Sequence, residues 1–262
     1  MRVVTVNVNG IRAAARKGGL AELRLLAADI ITFQEVRSSS AQLAEVLGME
    51  GLQDWSAVHA PCDQSGRNGT AVVSAEPITD AKVGLPGFAT DGRWIEATTT
   101  VAGRSVVVVS AYVPKGHAGE PPQEQKMRFL AAASRRMSQL SAGEHDVLVT
   151  GDLNIARTEQ DLKNWKQRIG KSGFLIEERA YLDDWEALGW VDVGQALAGD
   201  GPGPYTWWSQ RGRAFDNDVG WRIDYIWATP DLGARASGVS VVKAQSWDSR
   251  WSDHAPVVVD FD

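Results

Sequence analysis

The chain has little of what secreted and membrane-embedded proteins depend on. It holds one cysteine, Cys62, in 262 residues, so no internal disulfide can form. A reducing, cytoplasmic setting is therefore expected. No run approaches the roughly 20 apolar residues of a membrane-spanning helix, so no membrane partner is expected. Met1 is followed by Arg2 and a short alternating run, not by the long apolar segment of a secretory leader. Positive charge is also scarce, since 33 Asp and Glu outnumber 27 Lys and Arg, for a formal net charge of −6. That balance counts against binding nucleic acid through overall charge. It still permits an enzyme that gathers cations at clustered carboxylates and keeps a local basic surface. Repeats, low-complexity tracts and long linkers are missing too. Strands and helices intermix to both ends, which predicts one α/β domain over 1–262. Nothing marks a subunit interface, so a monomer is expected.

What is present is a series of strands with polar ends. Over 2–9, Val4, Val6 and Val8 alternate with Thr5, Asn7 and Asn9. The period of two predicts a strand with its apolar set on a core and Asn7 and Asn9 together on the other face. Further strands are expected over 29–35, 71–74, 94–101, 105–113, 146–154, 222–229 and 255–261. Helical spacing predicts helices over 13–28, 121–142 and 181–188. Between them run long polar loops, 114–125, 155–180 and 199–221, of the kind that carry function in compact domains.

The strand ends hold Asn7 and Asn9, Glu35, Tyr112, Asp152 and Asn154, Asp224, and Asp253 with His254. In sandwich and barrel folds such ends meet on one rim. Glu35, leaving an apolar strand, suits a hard cation such as magnesium, which takes one or two carboxylates and completes its shell with water and phosphate oxygens. It can equally be a loop acid paired with Arg37. Asp152 and Asn154 share a face if their strand continues, and a carboxylate beside an amide can hold and deprotonate a water in line with a phosphate ester. The same spacing also describes an Asx turn that ends a strand. His254 can stabilise charge building on a phosphoryl oxygen if an acceptor orients it, and Asp224 is the candidate acceptor. Asp253 and His254 point to opposite faces unless the backbone turns before Pro256. Tyr112 can donate to phosphate or lie in the core with its hydroxyl satisfied. His59, His117 and His145 are expected to be unremarkable.

Basic residues gather near the loops. Arg157, Lys163, Lys166, Arg168 and Lys171 are opposed by Glu159 and Asp161, with Trp165 and Phe174 between them. Arg211, Arg213 and Arg222 accompany Trp207, Trp208 and Trp221. Such mixtures suit phosphate contact with stacking on bases or sugars, or else a solvated loop over a small apolar cluster. Eleven tryptophans are more than a nucleic-acid surface needs, and Trp94, Trp185 and Trp190 are expected in the core.

Eight segments in order, Val6 to Arg12, Gln34 to Arg37, Ala111 to Pro114, Gly151 to Asn154, Gly173 to Arg179, Tyr205 to Trp208, Trp221 to Tyr225 and Ser252 to Pro256, resemble the exonuclease III family of abasic-site endonucleases within the DNase I-like fold. The resemblance implies a four-layer α/β sandwich of two packed, mostly antiparallel sheets flanked by helices. It implies Mg2+, with Mn2+ able to substitute, held by Glu35 as principal ligand. Asn7 and Asp253 would lie close by, and Asp152, Asn154 and His254 are counted in the metal set. Tyr112, Asp152, Asn154, Asp224 and His254 would be catalytic. Asn9, Trp207, Arg211, Trp221 and Ile223 would bind substrate, with Trp207, Trp221 and Ile223 forming a pocket that takes a flipped abasic sugar and excludes an intact base. The implied partner is double-stranded DNA with abasic sites or 3′ ends. The implied reaction is cleavage 5′ to an abasic site, accompanied by 3′-to-5′ exonuclease and 3′-end trimming. Two other readings share the Asp-x-Asn and Asp-His elements. One is a non-catalytic nucleic-acid-binding regulator, which would not need carboxylates that repel one another without a metal. The other is a phosphatase or phospholipase, which would not need the Trp207, Trp221 and Ile223 set.

Overall fold

In the computed structural model, residues 1–199 and 201–262 are described, so Asp200 of the expected 199–221 loop lies outside the described residues. Two six-stranded sheets pack face to face. The first runs in the order Ala236–Val241, Val257–Phe261, Arg2–Asn7, Ile30–Gln34, Thr70–Ser74, Ser56–Ala60. The second runs Ile78–Val83, Trp94–Val101, Arg104–Tyr112, Asp146–Asp152, Asp224–Ala228, Val191–Asp192. Each sheet has a single parallel pair at its centre and is otherwise antiparallel.

Apolar clusters make this four layers. Val3, Ile30, Val72, Ile95, Val108, Leu148, Ile226 and Val259 fill the space between the sheets. Val4, Val6, Phe33 and Ala71 face outward onto short helices through Ile11, Leu20, Leu23 and Leu43. On the far side, Val107, Val109, Val147, Val149 and Trp227 pack against Pro121–Ser141 and Ile176–Ala187 through Phe129, Leu130, Met137, Leu182 and Trp185. Trp94, Trp185 and Trp190 lie in this outer core, as expected.

The alternation in the first strand therefore has a different meaning from the one predicted. Both its faces are buried, and its polar face looks across to the other sheet. There Thr32 Oγ1 meets Thr150 Oγ1 at 2.7 Å, and Gln34 Nε2 donates to Thr5 Oγ1 and Ser110 Oγ. These bonds satisfy polar groups that would otherwise be costly inside a sandwich. The inter-sheet layer thus turns from apolar to polar toward one end of the central strands, and the candidate site lies at that end.

Register completes the arrangement. Tyr112 pairs with Asp152, and Asp152 pairs with Asp224, so three adjacent strands place these residues abreast. Asn7 and Gln34 are abreast on the facing sheet.

Several elements differ from the sequence expectations. The helix expected over 13–28 is two, Ile11–Arg16 and Gly19–Leu25, broken at Gly18 with φ +82. The Trp251 ring lies where a Cβ on Gly19 would be, 2.4 Å from its Cδ2, so that glycine admits the aromatic ring. The helix expected from 181 starts at Ile176, where the Glu178 carboxylate accepts the Leu175 N–H at the helix start. The Asp146–Asp152 strand stops before Asn154. The edge strands Ser56–Ala60, Ile78–Val83 and Ala236–Val241 escaped the reading because their half-exposed patterns lack clean alternation. The helix Ser40–Met49 was also missed, although Ser39 and Gln42 form a capping box at its start.

Candidate active site

Asn7 is fully buried and joins the two sheets. Its Nδ2 donates to Glu35 Oε1 and to Asp152 Oδ2, each at 2.9 Å. Tyr112 Oη donates to the same Glu35 oxygen at 2.7 Å. Glu35 Oε2 faces outward and is paired with the Arg37 guanidinium. Glu35 pairs with Arg37, as one reading expected, but it is a buried member of the cluster and not an exposed loop acid. Burial works against its charge. The amide of Asn7, the phenol of Tyr112 and the charge of Arg37 outweigh that and hold its carboxyl below the usual range.

Two backbone turns aim these side chains. Asn9 N donates to Asn7 Oδ1, and Asn154 N donates to Asp152 Oδ1. Asp152-Leu153-Asn154 is thus the Asx turn considered above, and the turn itself keeps both residues in the site. Asn154 Nδ2 adds bonds to Val113 O at 3.0 Å and Asp152 Oδ2 at 3.3 Å. Asn9, Glu35 and Asn154 have φ of +47, +51 and +51. Residues other than glycine adopt this region at a cost, and it concentrates at functional sites.

His254 is held from one side. Its Nδ1–H donates to Asp224 Oδ2 at 2.9 Å, and Thr206 Oγ1–H donates to the same oxygen at 2.6 Å. Its Nε2 lies 3.7 Å from Asp152 Oδ2. Burial would lower the histidine pKa, but Asp224 and Asp152 prevail and raise it to about 10, so the ring is an imidazolium near neutral pH. Asp152 is pushed up to about 6 by burial, with Asp224 adding to the rise and His254 opposing it. Asp253 points the other way, as expected for a neighbour of His254. It accepts from Asn9 Nδ2 at 2.9 Å and from Trp207 Nε1 at 3.1 Å.

The donor set suits a hard divalent cation. Glu35 and Asp152 supply carboxylate oxygens within one bridged cluster, and the outward side of Glu35 already accommodates a positive group in Arg37. Asp152, Asp224 and His254 also bring possible ligand atoms within 4.8 Å of one another. An imidazolium with Nδ1 committed to Asp224 has no lone pair to offer, however, so Glu35 and Asp152 are the stronger donors.

A cavity of about 320 Å3 opens beside Asn154, walled by Trp207, Trp221 and Ile223. The two indoles meet edge to face with centroids 6.0 Å apart. Gly173 closes the wall, and a Cβ there would come within 2.9 Å of Trp221. The three residues expected to form a pocket do form one.

Arg211 is exposed on the loop after Trp208, outside the lining of this cavity. Two of the basic residues expected at the surface are buried instead. Arg157 belongs to no open basic surface, because it is buried against Asp183 and Glu186. Arg222 is buried against Asp161 and Asp192. Phe174 is core. The exposed basic cluster is Lys163, Lys166, Arg168 and Lys171, with Arg168 over the Trp221 ring at 5.1 Å.

Sequence reasoning missed three contributors. Thr206 anchors Asp224. Arg93 stacks 4.6 Å over the Tyr112 ring and donates to the Tyr112 carbonyl. Lys126, fully buried, pairs with Glu178 at 2.9 Å and donates to Asn154 O at 2.9 Å. The hydroxyl in the Tyr205 to Trp208 segment and the lysine on an otherwise apolar helix face were the only available signals, and neither names a partner.

Residues 4–254 match the endonuclease/exonuclease/phosphatase family. The chain is 32% identical over 262 residues to an exodeoxyribonuclease of Bacillus subtilis, covering 98% of each. Among solved structures it is similar to an AP endonuclease from Archaeoglobus fulgidus, at 25% identity and TM-score 0.88, covering 100% of this chain and 99% of that one. It is also similar to a 3′ phosphatase from Neisseria bound to a product DNA hairpin, at 28% identity and TM-score 0.86, with coverage of 100% and 99%. No helix among the described residues is long and apolar enough to cross a membrane.

Proposed function

The chain belongs to the exonuclease III and AP endonuclease branch of the endonuclease/exonuclease/phosphatase family, a branch of DNA repair nucleases, and on that premise we propose that it cleaves the phosphodiester bond 5′ to abasic sites in duplex DNA. The same hydrolysis would trim 3′ ends when a terminal group occupies the site. The observation that carries this reading is the apolar cavity of Trp207, Trp221 and Ile223 opening beside Asn154, against the Asp152 and His254 cluster. A sugar without a base fits against the wall of Trp207, Trp221 and Ile223, and Lys115 and Arg168 in the same lining suit the phosphates that flank it.

In this reading Glu35, with Asp152 and Asn7 beside it, holds Mg2+ or Mn2+, and the metal when bound neutralises phosphate charge. Asp152, whose carboxyl is raised to about 6, takes a proton from the attacking water near neutral pH. Its bond from Asn7 fixes the oxygen that does so. The His254 imidazolium, oriented by Asp224 and Thr206, donates to a phosphoryl oxygen as the fifth oxygen joins phosphorus. Tyr112 and Asn154 flank the same phosphate, and as the bond from phosphorus to the 3′ oxygen breaks, that oxygen takes a proton from solvent and leaves as a hydroxyl. Asn9 and Asp253 brace Trp207 at the rim.

The test is a labelled duplex carrying one abasic-site analogue, incubated with purified protein and magnesium, with and without EDTA. A single metal-dependent nick 5′ to the lesion is expected. DNA binding without a nick would favour the non-catalytic reading. Neither binding nor nicking would favour a phosphatase or phospholipase.

A further inference from the structure

A second cavity, of about 520 Å3, lies on the Glu35 side of the cluster and is lined by Arg37, Arg67, Arg93 and Tyr112. It is lined mainly by cationic groups, whereas the Trp207 and Trp221 cavity combines an apolar wall with Lys126 and Arg168. Lys115 is the one residue common to both linings. Its position is fixed from below. Val113 N donates to Asp152 O at 2.9 Å, and Val113 O accepts from Asn154 Nδ2. Pro114 then sets the next φ, so Lys115 leaves the strand end from a rigid base. Its side chain is exposed, and among the described residues its ammonium makes no ion pair or hydrogen bond. Of the neighbouring cations, Arg37 is committed to Glu35, Arg93 to Asn68 and the Tyr112 carbonyl, and Lys126 to Glu178, while Arg67 lies only in the basic cavity and Arg168 only in the other, over Trp221.

A polynucleotide that places a sugar in the apolar cavity and continues through the basic one must cross between them at Lys115. What crosses is a phosphate, since a phosphate bounds each sugar in the chain. Tyr112 borders that crossing from the basic side and Asn154 from the apolar side. We propose that Lys115 is a substrate-contacting residue whose ammonium grips the reacting phosphate between the two cavities. The inference rests on the nuclease reading given above. The ammonium supplies a positive charge whose contact becomes more favourable as the phosphoryl group gains the negative charge of the attacking oxygen. Its field also reaches Asp152, where it favours the carboxylate.

The test compares the wild type with Lys115→Gln and Lys115→Arg. Binding to an abasic-site duplex is followed by fluorescence anisotropy in EDTA over a salt series, and single-turnover nicking is followed with magnesium. One phosphate contact accounts for roughly 0.9 in the slope of log affinity against log salt on duplex DNA. Lys115→Gln should therefore reduce that slope by about 0.9 and slow nicking by about 10²-fold. Lys115→Arg should restore the slope and most of the rate. An unchanged slope in Lys115→Gln would overturn the inference, and so would a Lys115→Arg variant as impaired as the glutamine one. Absence of nicking by the wild type would instead overturn the nuclease reading. Because the side chain is exposed, all three proteins should melt together.

Discussion

The imidazole of His254 stands between two buried carboxylates, with Nδ1 2.9 Å from Asp224 and Nε2 3.7 Å from Asp152. The first contact orients the ring and keeps it charged. The second brings the imidazolium beside the carboxylate assigned to the attacking water. On the proposed mechanism, acid and base roles are thereby separated by environment within a few ångströms.

Replacing Asp152 with Asn should lower abasic cleavage by about 10²- to 10⁴-fold, the range of a lost general base. DNA affinity should be retained, because the amide keeps the shape and the phosphate contacts lie elsewhere. Nicking rates and anisotropy binding on the same duplex check both parts. Loss of binding together with loss of folding would remove Asp152 from its assigned role.

The His254 and Asp224 pair predicts a pH dependence of stability. The folded pKa of His254, about 10, lies above its ordinary 6.5. Its contribution is then complete below about 6.5 and is lost as pH rises through about 10. Urea midpoints of the wild type in EDTA should fall between pH 7 and 10, while those of His254→Asn should fall less. Parallel curves would contradict the charged pair.

Trp221→Ala should impair cleavage at abasic sites more than exonuclease action on an intact 3′ end, because it removes one wall of the sugar cavity. Steady-state rates on the two substrates give the comparison. Equal losses would make Trp221 a packing residue only.

Lys126→Met strips the partner from Glu178, and both sit at 0% side-chain exposure. An uncompensated buried charge of this kind destabilises by about 3–5 kcal/mol, readable in urea unfolding. Adding Glu178→Gln, which removes the charge and keeps an oxygen for the Gly173 and Leu175 N–H groups, should recover stability without recovering cleavage, since the anchor on the Asn154 carbonyl stays lost. Recovery of both would show that the pair has no part in positioning Asn154.

The sequence by itself determined the chemistry at the strand ends. Asn7, Glu35, Tyr112, Asp152, Asn154, Asp224 and His254 could be read there because each borders an apolar run, the last two at its start and the others at its end, where a polar side chain has few other uses. The same period-two pattern predicted the central strands, and the spacing over 121–142 predicted the long helix. Tertiary structure alone decided which polar groups meet. Strand register placed Tyr112, Asp152 and Asp224 abreast, and sheet packing brought Asn7 across to Asp152. It also turned Arg157 and Arg222 from candidate DNA contacts into buried ion pairs, and left Arg211 on an outer loop. It singled out Lys115, whose sequence neighbourhood shows only a lysine after a proline. Local sequence sets a strand's period and its ends, but whether a charge meets a partner or solvent depends on long-range packing that no short window contains.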